Sequence, residues 1–323
     1  MKRNLQIACC LLAPMLLTAG LRAAGEADPM NSQIVRGSDS FGFRYSVTVP
    51  KLEKPGRLWI PLAASDADQD VELLGVTTRD PWRRVEDKEF GNQILVMDVP
   101  AGEAAANVVV DYKVTRKEKP AYAAAPGENL DTYLEEDSLV PKSEKFAGIA
   151  RRVTKDASNN RERGEALYRH TLEHMAYDKS GTGWGRGDAA HACDARTGNC
   201  TDFHAYFIGL CRTLGIPARF AIGFSIPADT DEGEIGGYHC WAEYFADGKW
   251  IPVDISEADK HPALADYYAG HHPANRFQLT RGRDLVVDPA PSTGAMNYLV
   301  YPLLESGGAD VPVERSFTFK RLR

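Results

Sequence analysis

Three stretches decide the interpretation of this chain: GNCTDFHAYFIGLC at 198–211, GYHCWAE at 237–243 and WIPVD at 250–254. They place Cys200, His239 and Asp254 in that order along the sequence. Apolar residues recur at helical spacing after Cys200, which predicts a helix that begins at the cysteine. The positive end of that helix and its first-turn amides would stabilise a thiolate and then an oxyanion. Taken alone, Cys200 is equally well explained as a buried structural cysteine.

A predicted hairpin relates the other two residues to each other. The sequence Ala246-Asp247-Gly248 predicts a tight turn between strands at 238–245 and 249–255. Because His239 and Asp254 are nearly equidistant from that turn, they fall almost opposite one another, and the carboxylate could hold the imidazole tautomer. A bulge would decide whether the two side chains share a face. The pattern predicts a catalytic triad with a thiol nucleophile.

Together with GIPARF at 215–220, these stretches resemble the core of the transglutaminase-like superfamily over about residues 145–260. The resemblance implies a papain-like fold in which Cys200 is the nucleophile, His239 the general base and acid, and Asp254 the residue that orients the histidine. It also implies an upstream tryptophan that assists the oxyanion, for which Trp184 in the loop GTGWGRGD at 181–188 is the candidate. No motif matches the calcium-binding acids of the animal enzymes, so we expect no cofactor.

The N-terminus has the pattern of an export signal. Lys2 and Arg3 precede an apolar run at 7–21, and small residues follow at 23–25, which predicts a signal peptide over residues 1–24. The run of about 15 residues is shorter than the ~20 that span a bilayer, although an uncleaved anchor is the alternative. We therefore expect a periplasmic or secreted protein without a stable membrane span after the signal is removed.

Four cysteines remain after the predicted signal: Cys193, Cys200, Cys211 and Cys240. Cys200 and Cys211 lie about 16 Å apart along one predicted helix, which is too far for a disulfide. If Cys200 is a working thiol, at most one bridge can form among the other three. The expected pair is Cys193 with Cys240.

The remaining sequence predicts an α+β protein with several parts. Short alternating strands separated by turn residues favour an N-terminal β-sandwich, and helical periodicity begins near residue 145. The predicted C-terminal strands, including 297–301 and 316–319, would complete or cover the core. The expected boundaries are a β-sandwich at 31–118, a linker at 119–144, a transglutaminase-like catalytic domain at 145–275 and C-terminal strands at 276–323.

Charge and metal-ligand patterns exclude other classes of function. The net charge of −7 argues against a general nucleic-acid binder. A zinc site is the alternative to thiol catalysis, and its candidate ligands are His191, Cys193, Cys200 and His204. This set lacks a CxxC or HExxH pattern. Asp66, Asp68 and Asp70 lack the glycine and glutamate of a calcium loop, so a solvated acidic loop is predicted there. We expect no bound metal.

The predicted function is an exported, cysteine-dependent acyl-transfer enzyme that acts on peptide or amide bonds through a thioester at Cys200. Hydrolysis is preferred, since water is abundant and its exclusion would require a dedicated tunnel. A cross-linking transglutaminase with an amine acceptor is the alternative within the same chemistry. A non-catalytic binding or scaffolding protein that retains the fold is the alternative of another class. The expected partner is a protein or peptide substrate, and the sequence leaves the oligomeric state open.

Overall fold

The computed structural model describes residues 33–322, so the predicted signal peptide lies outside the described residues. The chain forms a mixed α and β structure with several sheets and a few helices. The helices are α1 (Glu144–Val153), α2 (Asn160–His174), α3 (Ala189–Ala195), α4 (Cys200–Thr213), α5 (Ile255–Lys260) and α6 (Ala265–Tyr268), with 3-10 turns at Asp131–Leu134 and Pro262–Leu264. The strands before α1 are β1 (Ser38–Val49), β2 (Gly56–Leu62), β3 (Gln69–Thr77), β4 (Trp82–Glu86), β5 (Gln93–Val99), β6 (Ala106–Lys117) and β7 (Tyr122–Ala123). The later strands are β8 (Ala176–Tyr177), β9 (Thr197–Gly198), β10 (Ala218–Ser225), β11 (Glu232–Glu234), β12 (His239–Ala246), β13 (Lys249–Val253), β14 (Arg276–Arg281), β15 (Leu303–Ser306), β16 (Ala309–Asp310) and β17 (Glu314–Arg321).

The N-terminal strands divide between two five-stranded sheets. One sheet has the order β11-β17-β1-β6-β3 and the other has the order β16-β15-β2-β5-β4. Alternating residues of β1, from Phe41 to Val49, are buried in the same hydrophobic cluster as Leu58 and Ile60 of β2. Both sheets are completed by strands from the C-terminal part of the chain. A separate β-sandwich domain over 31–118 therefore stays a prediction.

The third sheet, β14-β10-β12-β13-β7, packs on the helices. Its contacts are made mainly through α4, which touches β10, β12 and the helices α1, α2 and α3. Every residue of α4 from Cys200 to Arg212 is buried. This central helix is held by neighbours on all sides, so its N-terminus is fixed relative to β12. No helix within residues 33–322 combines the length and the apolar character needed to cross a membrane.

The predicted hairpin is confirmed. Strands β12 and β13 are antiparallel with Ala246 opposite Lys249, and the two turn residues Asp247 and Gly248 have φ of 53° and 74°. Left-handed φ at both positions is typical of the type I′ turn that matches the twist of the flanking strands.

After Asp254 the chain forms the short helix α5, in which Ile255, Ser256 and Ala258 are buried. One prediction about the later part of the chain is wrong. Residues 297–301 form no strand, whereas 316–319 lie within β17. The strand-like composition of 297–301 reflects burial, since Leu299 and Val300 pack into hydrophobic clusters without sheet hydrogen bonds.

Gly223 allows two strands to approach closely beside the position of His239. Its Cα pairs with that of His239, and the pairing of β10 with β14 shifts between Ile222 and Gly223. A Cβ at Gly223 would stand 1.8 Å from the Phe277 carbonyl oxygen, which is backbone and cannot rotate away. We expect Gly223→Ala to lower the free energy of unfolding by at least about 2 kcal/mol, measured by urea denaturation.

Gly75→Ala is the matched control for this prediction. Gly75 also lies at a strand irregularity, but a Cβ there meets nothing within 4 Å. We expect it to change the free energy of unfolding by less than about 1 kcal/mol. Equal effects for the two variants would contradict the steric argument.

Candidate active site

Cys200 is the first residue of α4, and its position is fixed by a capping box. Asn199 caps the helix, and the Asp202 side chain accepts a hydrogen bond from the Asn199 amide at 2.9 Å. The amide of Thr201 donates to Asn199 Oδ1, and those of Asp202 and Phe203 donate to the Asn199 carbonyl. Within the described chain, this leaves the Cys200 amide as the first-turn donor that could meet an oxyanion.

His239 and Asp254 are brought into direct contact. His239 Nε2 lies 2.7 Å from Asp254 Oδ2, and both residues are buried. The register places Ala242 opposite Val253, so Asp254 is a diagonal neighbour of His239 on the same face rather than its exact opposite. Because Nε2 is engaged by the carboxylate, Nδ1 is the ring nitrogen that remains for the thiol.

Asp254 lies at the junction of three interactions. Its Oδ2 also accepts a hydrogen bond from Arg276 Nη2 at 3.0 Å, and its Oδ1 caps α5 through the Glu257 amide at 3.2 Å. Arg276 and Asp254 are both fully buried. Although burial raises the pKa of Asp254, the charges of His239 and Arg276 and the hydrogen bond to His239 hold it well below its usual range. The carboxylate is therefore ionised at neutral pH.

The surroundings of the Cys200 thiol and the His239 imidazole shift their pKa values in opposite directions. Burial alone would raise the pKa of Cys200, but hydrogen bonds with Cys240 and His239 and the charge of His239 bring it well below its usual value. Burial would lower the pKa of His239, but the charge and hydrogen bond of Asp254 raise it to about 9. A cysteine below and a histidine above their ordinary values favour a thiolate beside an imidazolium at neutral pH.

His204 is a neutral positioning residue next to this pair. Its Nδ1 lies 2.8 Å from the Cys200 carbonyl oxygen, to which it donates, and its Nε2 accepts from the Ile255 amide at 3.1 Å. One ring nitrogen must carry a hydrogen and the other must not, which defines the neutral tautomer. Burial lowers the pKa of His204, in agreement with that state. The ring thereby ties the first turn of α4 to the start of α5.

The glycine-rich loop at 181–188 lies against the N-terminus of α4. The amides of Gly185 and Gly187 donate to the Asp202 carboxylate at 2.7 and 3.0 Å. Trp184 belongs to this loop, but its side chain is 37% exposed and lies under Lys179 Nζ, 5.7 Å from the ring centre. The loop is therefore brought to the site, whereas an oxyanion role for Trp184 stays a prediction.

Asp202→Asn tests whether this carboxylate anchors the loop. The two carboxylate oxygens accept three amide hydrogens, and an amide side chain would turn an NH₂ group toward at least one of them. Each lost charged hydrogen bond costs about 1.5–3 kcal/mol. We expect hydrogen exchange at Gly185 and Gly187 to accelerate at least tenfold.

Asp194→Asn provides the control for the loop experiment. Asp194 lies on the neighbouring helix α3, where it is largely exposed and pairs with Lys145. Its substitution removes the same charge without touching the loop. If the control accelerated exchange in the loop as much as Asp202→Asn, the anchoring role would be contradicted.

A row of tyrosines closes the side of the site next to the loop. Asn199 Nδ2 donates to the Tyr238 hydroxyl at 2.8 Å, and the Tyr238 amide donates to the Tyr301 hydroxyl at 3.1 Å. The Tyr298 hydroxyl donates to the Gly185 carbonyl at 2.7 Å. These contacts connect the residue before His239 to the loop and to the C-terminal segment. The side of the site next to the glycine-rich loop is thus built by parts of the chain that are distant in sequence.

The cysteine and metal predictions can be compared with the structure. Cys193, Cys200, Cys211 and Cys240 are all free and buried, so the expected bridge between Cys193 and Cys240 is wrong. Cys240 Sγ instead lies 3.7 Å from His204 Nδ1. Among residues 33–322, no three His, Cys, Asp or Glu side chains are grouped so that they could hold a metal ion.

Several residues of the site were missed by the sequence analysis. Tyr238 directly precedes His239, so the motif itself could have indicated it. Arg276 gave no such signal, because it approaches Asp254 only through the pairing of β14 with β10. Cys240 was assigned to a disulfide by elimination, because its contact with His204 on α4 forms only in the folded chain.

Comparisons with known proteins agree with this geometry. The family model described as the transglutaminase-like superfamily matches residues 147–255. A solved structure titled "Putative Cysteine Protease", from Cytophaga hutchinsonii, is 16% identical and superposes with a TM-score of 0.59, covering 88% of this chain and 91% of that chain. No curated protein matches the chain.

A second solved structure, the periplasmic domain of TgpA from Pseudomonas aeruginosa, is 14% identical with a TM-score of 0.39. It covers 75% of this chain and 88% of that chain. The family match spans α1 to the start of α5 and includes Cys200, His239 and Asp254. Residues 147–255 of this chain are therefore similar to the core shared by the transglutaminase-like superfamily.

Proposed function

We propose that this protein is an exported cysteine-dependent enzyme that cleaves peptide or amide bonds through a thioester at Cys200. The observation that carries the proposal is the buried arrangement of Cys200, His239 and Asp254, with a 2.7 Å contact between the imidazole and the carboxylate. The pKa of Cys200 lies well below and that of His239 above its usual value, which supports a thiolate ready to attack. The description of the Cytophaga hutchinsonii protein as a cysteine protease is consistent with this chemistry.

The proposed reaction has two steps. The Cys200 thiolate adds to the acyl carbon, and the oxyanion that forms accepts a hydrogen bond from the Cys200 amide, with Trp184 as a second proposed donor. His239 gives its proton to the leaving nitrogen as the C–N bond breaks, and a thioester remains. His239 then removes a proton from water, the hydroxide adds to the thioester, and the C–S bond breaks to release the acid and the thiolate. Asp254 keeps the imidazole oriented throughout.

Export is part of the proposal and is supported by the sequence of residues 1–24. We further propose that the β-rich N-terminal part acts as a β-sandwich beside the catalytic core. Its two sheets incorporate β15, β16 and β17 from the C-terminal end and β11 from the segment before His239. This connection gives the N-terminal part a physical link to the substrate side of the site.

The test incubates the purified protein with a peptide library in the presence and absence of a labelled primary amine. We expect hydrolysis products that are lost in Cys200→Ala, with Cys211→Ala as a control thiol on the same helix that retains activity. Incorporation of the amine in place of hydrolysis would assign the cross-linking reaction. Equal product formation by Cys200→Ala and the unmodified chain would overturn the proposal.

A further inference from the structure

A cavity of about 420 Å³ lies away from Cys200, where the segment after β6 crosses the third sheet. One wall consists of small apolar residues, Ala123 to Pro126, with Ala221 on β10. The opposite wall is charged. We call this space the Lys119 cavity, and the charged residues that line it are Asp66, Asp68, Lys119, Glu128, Arg219, Glu243 and Arg281.

The Lys119 ammonium group is buried between carboxylates and the Tyr122 ring, 4.7 Å from the ring centre, but it makes no short hydrogen bond. Its side chain is 5% exposed, and its Nζ lies 3.4 Å from Asp68 Oδ2, 3.5 Å from Glu243 Oε1 and 4.0 Å from Asp66 Oδ2. All three distances exceed the roughly 2.7–2.9 Å of a charge-assisted hydrogen bond. A buried charge needs hydrogen bonds as well as opposite charge, so the group has unused donor capacity toward the cavity.

The Asp66 carboxylate also lies near three cations at distances longer than a hydrogen bond. Arg116 Nη1, Lys119 Nζ and Arg281 Nη2 lie 3.9, 4.0 and 3.9 Å from its carboxylate oxygens. Arg116 is fully buried, and within residues 33–322 none of its guanidinium nitrogens has a hydrogen-bond partner. The solvated acidic loop predicted for Asp66, Asp68 and Asp70 is wrong for the first two, because their side chains are mostly buried, Asp66 among these three cations and Asp68 beside Lys119. Asp70 is exposed.

Other charges at the cavity are already satisfied. Arg219 donates to Glu243 Oε2 at 2.6 Å and pairs with Glu128, and its guanidinium lies 3.9 Å from the Trp250 ring centre. The Tyr122 hydroxyl also donates to Glu243 Oε2, at 2.7 Å. These contacts build a rigid frame and leave Glu243 Oε1 facing Lys119. The unsatisfied groups are thus confined to the part of the cavity around Lys119.

The charges that line the cavity are of both signs, which defines the chemistry of a ligand. Lys119, Arg219 and Arg281 line it together with the carboxylates of Asp66, Asp68, Glu128 and Glu243. Arg116 lies outside the lining, 3.9 Å from Asp66, and balances the fourth carboxylate. A ligand without net charge that carries both signs would satisfy the loose groups on each side. The volume is near the lower end of the ~300–1,000 Å³ typical of ligand pockets, and the alanine wall suits small side chains.

We propose that the Lys119 cavity binds a free amino acid or short peptide with small side chains through its terminal carboxylate and ammonium groups. The carboxylate lies toward Arg281 and Lys119. The ammonium group lies toward Asp68 and Glu243.

The Lys119 cavity is separate from the proposed catalytic site. Glu243 lies four residues after His239 on β12, about 13 Å along the strand. Trp241 is buried between His239 and Glu243 along the strand. Its ring centre lies 5.9 Å from that of His239 and, on the other side, 5.8 Å from that of His272. Ligand binding in this cavity requires no reaction at Cys200, so the inference stands independently of the proposed function.

The test uses alanylalanine and isothermal titration calorimetry on the full chain carrying Cys200→Ala, so that nothing is hydrolysed. We expect a dissociation constant of about 1 mM or tighter. The N-acetylated and C-amidated forms of alanylalanine each lack one charge, and we expect each to bind at least tenfold more weakly. Absence of binding by all three compounds, or equal binding by all three, would overturn the proposal.

Two mild substitutions identify the cavity as the place of binding. Arg281→Gln removes a cation whose side chain is 34% exposed, and Asp68→Asn removes a carboxylate whose nearest ion-pair partner is Lys119. We expect each to weaken alanylalanine binding at least tenfold, and Arg281→Gln to abolish the difference between the free and amidated forms. Arg57→Gln, a surface change on β2 beside Asp98, is the control that keeps full binding. Unchanged binding in both cavity variants, each folded by circular dichroism, would place the ligand elsewhere and overturn the proposal.

Discussion

Replacing His239 with asparagine lowers the rate at which iodoacetamide alkylates Cys200 at pH 7 by at least tenfold. The reason is the fraction of thiolate. Burial raises the pKa of Cys200, and the hydrogen bond with Cys240 together with the hydrogen bond and charge of His239 hold it well below its usual value. Without the imidazolium, burial is opposed much less and the pKa rises. Each unit by which that pKa rises above pH 7 removes a further factor of about ten in reactive thiolate.

The pH profile gives the sign of this effect directly. In the unmodified chain, the alkylation rate rises through a midpoint well below pH 8.5, because the thiolate forms while His239 is still protonated. In His239→Asn, the midpoint moves above pH 8.5. Mass spectrometry of the labelled peptide assigns the reaction to Cys200, and His174→Asn is the control, since that ring contacts the Cys193 carbonyl instead. A midpoint that stays in place in His239→Asn would show that His239 does not activate the thiol.

Asp254→Ala has the second large effect, and it acts on both stability and turnover. The substitution leaves the Arg276 guanidinium buried without its carboxylate partner, which costs about 3–5 kcal/mol. It also removes the cap of α5, which adds about 1 kcal/mol. Because the imidazole of His239 is no longer oriented, we expect peptide cleavage to fall by about 10⁴-fold.

A double variant separates the two effects. Asp254→Ala combined with Arg276→Met removes the unpaired charge, so we expect urea denaturation to show that most of the lost free energy of unfolding returns. Turnover should stay at the level of the single variant, since nothing in the double variant orients His239. Recovery of turnover together with stability would mean that Asp254 matters only for folding. Failure to recover stability would contradict the buried-charge argument.

The local elements around the site could be predicted because each depends on a few neighbouring residues. The helix start at Cys200 follows from its apolar periodicity. The hairpin follows from Asp247-Gly248, which accept the left-handed backbone that the turn requires. The approximate pairing of His239 with Asp254 then follows from counting along the two strands.

What could not be predicted depends on pairings across long sequence separations. Arg276 contacts Asp254 through β14, and Lys119 contacts Glu243 through the crossing of the segment after β6. Cys193 and Cys240 were predicted to form a disulfide because the other cysteines had been excluded. That reasoning contains no information about the distance between the two residues. In the same way, Asp66 and Asp68 were predicted to be solvated because their cationic partners, residues 116, 119 and 281, are distant in sequence.

Strand β17 has a consequence for the time course of folding. It pairs with β1 on one side and with β11 on the other, so it joins the first and the middle parts of the chain. Until the ribosome has released residues 314–321, the β1 edge is unpaired and the segment that leads to His239 has no sheet to dock on. The sheet that holds β1 and β11 is therefore completed late, after most of the protein has been synthesised, and the closure of such distant contacts is slow. Under the proposed export, this delay gives the chain time to cross a membrane before it folds.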